Sequence, residues 1–449
     1  MKKILSLILT LSLVFVSFAC AAPQAAAPAS SAPSSAPAEQ STSAQPSDSA
    51  GEAETSSGDT YRVGVLLPLT GRMASGGQEA MRGLEMALDM VNENGGIQGK
   101  PLELIFCDAN DADSGIAEAT RLIEVEKVKV ITGTYMTEVS FSASTIAEQN
   151  KTVFFEMACP SDGLCSRGYK YYFRMNPTAS DEGRFAAQFA VENAEKMGTT
   201  KDAVRVAIVG EDSTYGSTMA AGAAAQLEEY GITPVLREEY STDVTDLSSL
   251  VMKLIDAKPD VVISCSLLSD ASLFYRQAYE LGLEVKAFVG NGAGFGSATF
   301  LDQFGEVANY LFATNYTIET SPAESAPGLA DFYKEYRARY NQEPVNSVLV
   351  PQVGQGLLIL QEILNSAEDV NDATSIADAC RAIDIPSGTM INGWGAKFAG
   401  LDSETPGQNM AVGNVIMAQW QDNVLYQVWP YASEGAEMVL PAPMYGAQQ

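Results

Sequence analysis

The sequence predicts an α/β protein of two lobes, each a parallel sheet flanked by helices. Beyond residue 60, short apolar runs of strand length alternate with amphipathic stretches of helix length. This alternation is typical of parallel sheets covered on both faces. The pattern then restarts, because Val204–Gly210 repeats the character of the first apolar run, Arg62–Leu67. A length of 449 residues is sufficient for two cores of ordinary size.

Composition excludes several classes of function. The chain has 27 Lys and Arg against 56 Asp and Glu, a formal net charge of −29, so we expect no nucleic-acid partner. It contains no His, which excludes histidine-based triads and His-ligated metals. A secreted α/β hydrolase is the enzyme alternative, but the G-x-S-x-G motif is absent as well. We therefore expect a catalytically inert binding protein without a cofactor or metal.

Residues 1–20 are predicted to be an export signal with a lipidation site. Two lysines precede a mostly apolar run over residues 4–18, which is too short for a permanent transmembrane helix. Small residues precede Cys20, as in a bacterial lipobox, and we expect this Cys to carry a lipid that anchors the protein to the cell membrane. Ser17 stands where an aliphatic residue is usual, so an ordinary cleaved signal peptide is the alternative.

Residues 21–58 are predicted to be a disordered tether. Ala, Pro and Ser dominate this segment, which has no aromatic residue, no Lys and no Arg. Such a composition cannot bury enough apolar surface to offset the entropy lost on ordering. A tether behind a lipid anchor suits a domain that moves freely at a membrane surface.

The first half of the body alternates strands and helices. The first strand, Arg62–Leu67, is ended by Pro68, and the first helix is stopped by Gly95 and Gly96. The later predicted strands are Leu102–Cys107, Val128–Thr132 and Thr152–Phe155. The predicted helices are Gly77–Asn94, Ile116–Glu126 and Val139–Gln149.

The second half repeats the cycle and then returns to helix. Its predicted strands are Val204–Gly210, Thr233–Glu239, Asp260–Cys265, Val285–Val289 and Tyr310–Thr314, followed by a β-like run over Asn414–Val428. Its predicted helices are Ser217–Tyr230, Leu247–Ala257, Ala271–Leu281, Gly328–Tyr340 and Gln352–Leu364.

Several stretches together carry a family resemblance that spans residues 61–430. Val63–Gly71, Gly83–Ala87 and Asn92–Gly99 resemble the opening of the leucine/isoleucine/valine-binding family, the substrate-binding proteins of bacterial ABC importers. The resemblance continues at Arg167–Tyr169, Phe173–Pro177, Val206–Val209, Tyr215-Gly216, Arg276–Ala278, Leu281-Gly282 and Tyr333–Tyr340.

The resemblance implies a type I periplasmic binding protein fold whose chain crosses between the lobes three times. We expect the crossings near Asn176–Ser180, Asn315–Glu319 and Gly407–Gly413. They assign residues 61–177 and 317–412 to lobe 1, and residues 178–316 and 413–449 to lobe 2. The family further implies a protein that binds a small solute by hinge closure and delivers it to an ABC permease. From the duplicated α/β pattern we expect a monomer. A sensor subunit that serves a membrane receptor is the alternative.

The ligand site is expected where strands end and helices begin. Thr137 follows a strand and precedes a helix, so its hydroxyl and the nearby amide groups can form an anion pocket, and by resemblance it holds the ligand carboxylate; a plain helix N-cap is the other interpretation. By resemblance, Tyr135 and Met136 line the pocket. Ala158 supplies a backbone contact, and Tyr215 lies over the ligand from the second lobe.

The site departs from the family pattern at the ammonium partner. Gly292 stands where amino-acid binders of the family have Glu, and Pro160 stands where Thr is frequent. We expect leucine, isoleucine and valine to bind poorly, because a buried ammonium without a counter-charge is costly. A solute that has an acidic or carbonyl oxygen but no free ammonium should bind better. The residues that could replace the missing carboxylate are Glu156, Asp212 and Asp270. The glycines of the surrounding 290–296 stretch suggest close backbone approach to a ligand or a mobile rim.

Two loops invite other chemistry. Cys159 and Cys165 are separated by five residues in an exported chain, and we expect a disulfide between them. The acidic stretch Asp108–Asp113 lacks the spacing of an EF-hand, which favours a loop that caps the next helix over a calcium site.

Overall fold

Two β-sheets form the framework of the protein in the computed structural model. The structure describes residues 60–71, 73–344, 348–413 and 415–445. The predicted signal, Cys20 and the predicted tether lie outside the described residues. Within the described ranges, no helix is both long enough and apolar enough to cross a bilayer.

The first sheet has five parallel strands in the order β2-β1-β3-β4-β5. Its central strands are buried on both faces, as shown by Val65 and Leu66 of β1, which point to opposite faces and are both fully buried, because helices cover both sides. The strands are β1 (Tyr61–Leu67), β2 (Leu102–Asp108), β3 (Val130–Gly133), β4 (Val153–Glu156) and β5 (Tyr172–Arg174).

The second sheet has seven strands in the order β12-β11-β10-β9-β8-β6-β7. Five strands are parallel, and the last two form an antiparallel hairpin on the edge next to β10. Asp422 and Asn423 make the two-residue turn with positive φ values of 50° and 63°, as a type I′ turn requires. The strands are β6 (Val206–Glu211), β7 (Leu236–Tyr240), β8 (Val261–Cys265), β9 (Ala287–Asn291), β10 (Phe312–Asn315), β11 (Ile416–Gln421) and β12 (Val424–Trp429).

Helices flank both sheets, and three connections carry the chain between the two layers. The chain leaves β5 to enter α4, which packs on α5; it leaves β10 to reach α11, which packs on α1 in the core of the first sheet; and it finally joins β11. The helices are α1 (Ala74–Glu93), α2 (Ala112–Glu124), α3 (Thr137–Gln149), α4 (Ala179–Glu192), α5 (Thr214–Glu229), α6 (Ser248–Ala257), α7 (Leu268–Leu281), α8 (Gly292–Phe295), α9 (Ala298–Phe304), α10 (Leu329–Tyr340), α11 (Leu349–Ser366) and α12 (Ala373–Ala382).

The predicted fold class is confirmed, with differences in individual elements. The second sheet is mixed because the run predicted over 414–428 is a hairpin. Strand β5 and helices α4, α8, α9 and α12 were not predicted from the sequence. A capping box starts α4, in which the hydroxyl of Thr178 accepts from the amide of Asp181 and Asp181 accepts from the amide of Thr178. The acidic stretch after β2 caps α2 through Asp111, as expected.

Candidate functional site

A cavity of about 480 Å³ lies at the carboxyl ends of strands from both sheets. The segments that follow β3 and β4 line it from the first sheet, and those that follow β6 to β10 line it from the second. Ligands of parallel α/β sheets bind at this edge, because the loops there present side chains and helix N-termini to a common space.

The structure brings the six expected ligand-binding residues together in this cavity. The first sheet's layer contributes Tyr135, Met136, Thr137 and Ala158, and the second contributes Tyr215 and Gly292. These residues span more than 150 positions of the chain, so their convergence depends on the two-sheet architecture. Which of them contacts a solute stays a prediction.

Thr137 begins helix α3 and is not its N-cap. Met136 occupies the N-cap position, and no side chain caps the helix. The hydroxyl of Thr137 instead accepts from the thiol of Cys159 at 3.6 Å. The hydroxyl hydrogen and the positive end of α3 thus remain for an anionic or electron-rich oxygen in the cavity.

Glu156 organises the loops behind the cavity and does not line it. Its carboxylate is fully buried and accepts from the amides of Thr134, Ala158 and Cys159 and from the hydroxyls of Thr134 and Ser140, at 2.6–2.9 Å. Burial raises the pKa of Glu156, and the hydrogen bonds oppose that shift. Since the amide of Ala158 is engaged here, only its carbonyl oxygen remains for the backbone contact expected at this residue.

Neither Asp270 nor Asp212 is well placed to replace the missing Glu. Asp270 is buried and accepts from the hydroxyl of Tyr240 at 2.8 Å and the amide of Leu267 at 3.1 Å; it does not line the cavity. Asp212 lines the cavity but is exposed, and it accepts from the amide of Thr242 at 3.0 Å.

Glu182 is the buried carboxylate of the cavity, and it is not among the site residues expected from the sequence. It lies on α4, is 6% exposed and lines the cavity. The hydroxyl of Tyr215 donates to it at 3.1 Å, and the hydroxyl of Tyr316 donates to its other oxygen. Burial raises the pKa of Glu182 to about 7, while the hydrogen bonds from Tyr316 and Tyr215 lower it. The Thr178–Asp181 capping pattern was the available signal, because it places a helix, and Glu182 on it, directly after a predicted crossing.

Gly292 is required by its neighbours. A Cβ atom at this position would lie 2.8 Å from Oδ1 of Asn315 and 2.9 Å from the carbonyl oxygen of Thr314. Gly290 is similarly confined by the ring of Phe295. The glycines therefore serve close packing between protein segments. Gly292 also lines the cavity, so close approach of the backbone to a ligand stays a prediction, as does a mobile rim.

The predicted disulfide is wrong, since Cys159 and Cys165 are both free and buried. Their thiols have separate partners, Cys159 the hydroxyl of Thr137 and Cys165 the side-chain oxygen of Gln408, each at 3.6 Å. A short 3₁₀ helix over Asp162–Arg167 carries Cys165 and directs it toward the Gln408 segment. Burial raises the pKa of Cys159 to about 12. Among the described residues, no group of three or more Cys, Asp or Glu side chains is arranged to hold a metal ion.

Comparison with known proteins gives a family and a fold. The family model for periplasmic binding proteins matches residues 60–422. The Leu/Ile/Val-binding protein homolog 8 of Brucella abortus is 33% identical over 380 residues, covering 84% of this chain and 92% of the relative. Homolog 7 of Brucella suis is 34% identical over 386 residues, covering 85% and 94%.

Solved structures share the architecture at lower identity. A leucine-binding protein of Thermotoga maritima has a TM-score of 0.69 at 20% identity, covering 82% of this chain and 97% of its own. A branched-chain amino acid transporter substrate-binding protein of Streptococcus pneumoniae, in complex with isoleucine, has a TM-score of 0.68 at 20% identity, covering 85% and 100%. A solute-binding protein of R. palustris in complex with benzoate has a TM-score of 0.67 at 18% identity, covering 87% and 98%.

Proposed function

Because the chain belongs to the periplasmic binding protein family, we propose that it is the extracytoplasmic solute-binding subunit of an ABC importer. Its solute is a small amino-acid-like, amide or carboxylate compound. The observation that carries the proposal is the cavity at the carboxyl ends of both sheets, which has the volume of a small-molecule site and is lined by both polar and apolar groups.

Hinge closure is the proposed mechanism of capture. One lobe comprises residues 61–177 and 317–412, and the other comprises residues 178–316 and 413–449. A solute that contacts Thr137 from one lobe and Tyr215 from the other binds the closed state better and shifts the population toward it. The permease then recognises the closed form.

The class of solute is supported by the site more than by the fold. The same fold holds isoleucine in one neighbour and benzoate in another, so the fold accommodates carboxylates with and without an ammonium group. The start of α3, which has no side-chain cap, and the hydroxyl of Thr137 favour an acidic or carbonyl oxygen in this cavity.

A thermal-shift screen of the purified exported protein tests the proposal. The panel contains amino acids, their amides, aromatic acids and polyamines, and a specific solute must raise the melting temperature in a saturable way. Uptake of the identified solute by cells with and without the gene then tests the import role. Hydrolysis of the solute during either assay would contradict a binding protein and favour an enzyme.

Lipid anchoring through Cys20 is part of the same proposal. Export by residues 1–20 followed by lipidation would leave residues 21–58 as the tether between membrane and body. A Cys20→Ala variant should leave the membrane fraction, whereas the unmodified protein should stay in it. Equal distribution of the two forms would contradict the anchor.

A further inference from the structure

We propose that Glu182 binds a positively charged nitrogen of the solute, with Tyr215 and Tyr316 as the residues that position its carboxylate. This inference rests on the proposed function, since it specifies the chemistry of the solute held in the same cavity. It places the counter-charge on helix α4 instead of at position 292, where Gly is confined by Asn315 and Thr314.

The environment of Glu182 leaves its negative charge uncompensated. Its partners are two phenol hydroxyls, which are neutral donors, and no Lys or Arg of the described residues forms an ion pair with it. A buried carboxylate with this little compensation is costly in the empty protein. A solute cation that enters the cavity removes that cost, and this gain is available only to a cationic ligand.

The geometry also leaves room for the cation at the carboxylate. An ionised carboxylate offers about four acceptor positions, and the two phenols use one on each oxygen. Tyr215 is held in turn by the side-chain amide of Asn291, which donates to its hydroxyl at 3.0 Å. The hydroxyl hydrogen of Tyr215 is thereby directed at Glu182. The acceptor positions of Glu182 that the two phenols do not use are therefore preorganised for N–H groups of a ligand.

The surrounding charges favour the same sign of ligand. Among the lining residues that the structure describes, none is Lys or Arg, whereas Glu138, Glu182 and Asp212 are acidic. Asp181 and Asp162 also lie close enough to act on Glu182 electrostatically. Negative potential concentrated in a cleft attracts cations, and a carboxylate at Thr137 with an ammonium at Glu182 would match both halves of the cavity.

Calorimetry with matched solute pairs tests the assignment. The probes are L-leucine and 4-methylpentanoate, L-phenylalanine and 3-phenylpropanoate, and 4-aminobutanoate and butanoate, measured at pH 8 on the mature protein. We expect at least one amine to bind ten times or more tighter than its partner without the amine. Glu182→Gln should reduce that preference to about threefold or less, because the neutral amide can still accept a hydrogen bond but no longer supplies the opposing charge.

Two further variants keep the test specific. Glu192→Gln is the matched control: it lies on the same helix, is exposed and accepts from Gln188 and Tyr230 away from the cavity, so the preference should persist. Tyr316→Phe keeps the carboxylate but removes one donor, and this should raise the pKa of Glu182 further. The preference for the amine should therefore be weakened at pH 7 and recover by pH 8.5. A purely structural defect would weaken it at both pH values.

The outcomes separate this inference from the proposed function. Equal binding of the paired solutes by the unmodified protein, or a tenfold preference that survives in Glu182→Gln, overturns the role of Glu182 and leaves solute binding intact. Saturable binding of no probe in this set or in the wider thermal-shift panel overturns both proposals together.

Discussion

The hydroxyl of Tyr215 donates to a carboxylate oxygen of Glu182 across 3.1 Å and joins the start of α5 to α4 at the wall of the cavity. The same hydroxyl accepts from Asn291, at the end of β9. The hydroxyl of Tyr215 thus links three elements of the second sheet's layer around one buried carboxylate, and we expect the protonation state of Glu182 to affect both stability and the proposed solute binding.

Stability should depend on pH through Glu182. Its pKa rises to about 7 in the folded protein from an unfolded value of 4.5, so the folded state holds the proton more tightly. This contribution is fully present below pH 4.5 and is lost as pH rises through 7, up to about 3 kcal/mol. Glu182→Gln removes this dependence. The free energies of unfolding of the variant and the unmodified protein are measured in urea from pH 4.5 to 8.5. As pH rises over this range, the variant should become more stable relative to the unmodified protein.

The difference curve is needed because other groups titrate in the same range. Burial also raises the pKa of Asp270, to about 6, and this contribution is common to both proteins. A difference in free energy of unfolding that does not change with pH would contradict the environment assigned to Glu182.

The affinity for an amine-bearing solute should depend on pH in the opposite direction. It should rise by up to about tenfold per pH unit between pH 5 and 7, as Glu182 ionises.

Thr137→Val should weaken binding of a carboxylate solute by about ten- to a hundredfold. A hydrogen bond to a charged group contributes about 1.5–3 kcal/mol, and Val keeps the shape while losing the hydroxyl. Thr120→Val is the control, because the hydroxyl of Thr120 bonds only to the Ile116 carbonyl within α2, away from the cavity. Comparable affinity losses in the two variants would argue against a ligand contact at Thr137.

Gly292→Glu should not restore a family-like ammonium site. The added Cβ would meet Asn315 and Thr314 at less than 3 Å, and such overpacking costs about 1–3 kcal/mol. Gly292→Ala isolates that steric cost from the added charge. Both variants should lose stability in thermal melts, and neither should bind leucine better in calorimetry. Tighter leucine binding by the Glu variant alone would show that position 292 can supply the counter-charge.

Cys159 and Cys165 should be thiols in the exported protein. Both are buried and free, so iodoacetamide should label neither in the native state and both after denaturation without reductant. Mass spectrometry of the tryptic peptides reads the label at each position. A peptide two mass units lighter and unlabelled after denaturation would indicate the disulfide that the spacing alone suggests.

Local sequence patterns determined the alternation of strands and helices, the duplicated organisation and the family resemblance. These signals are short-range: a buried parallel strand is a run of apolar residues, as in Arg62–Leu67, and the loops after such strands mark one edge of a sheet. For the same reason Thr137 was identified as a candidate site residue from its place between a strand and a helix, whereas Tyr135 and Tyr215 came from the family resemblance. The missed helix α4 had a local signal as well, the Thr178–Asp181 capping box.

Only the tertiary structure decided which acidic side chains reach the cavity and that the thiols of Cys159 and Cys165 do not meet. Glu156 lies at the end of a strand, where a site residue is expected, yet five donors from three segments hold it behind the cavity wall. Glu182, by contrast, is brought into the cavity by the packing of α4 on α5. Cys159 and Cys165 are near in sequence but directed to different partners. Such outcomes depend on contacts between residues that are distant along the chain, and the energetics of burial and hydrogen bonding at those contacts are not encoded in any local pattern.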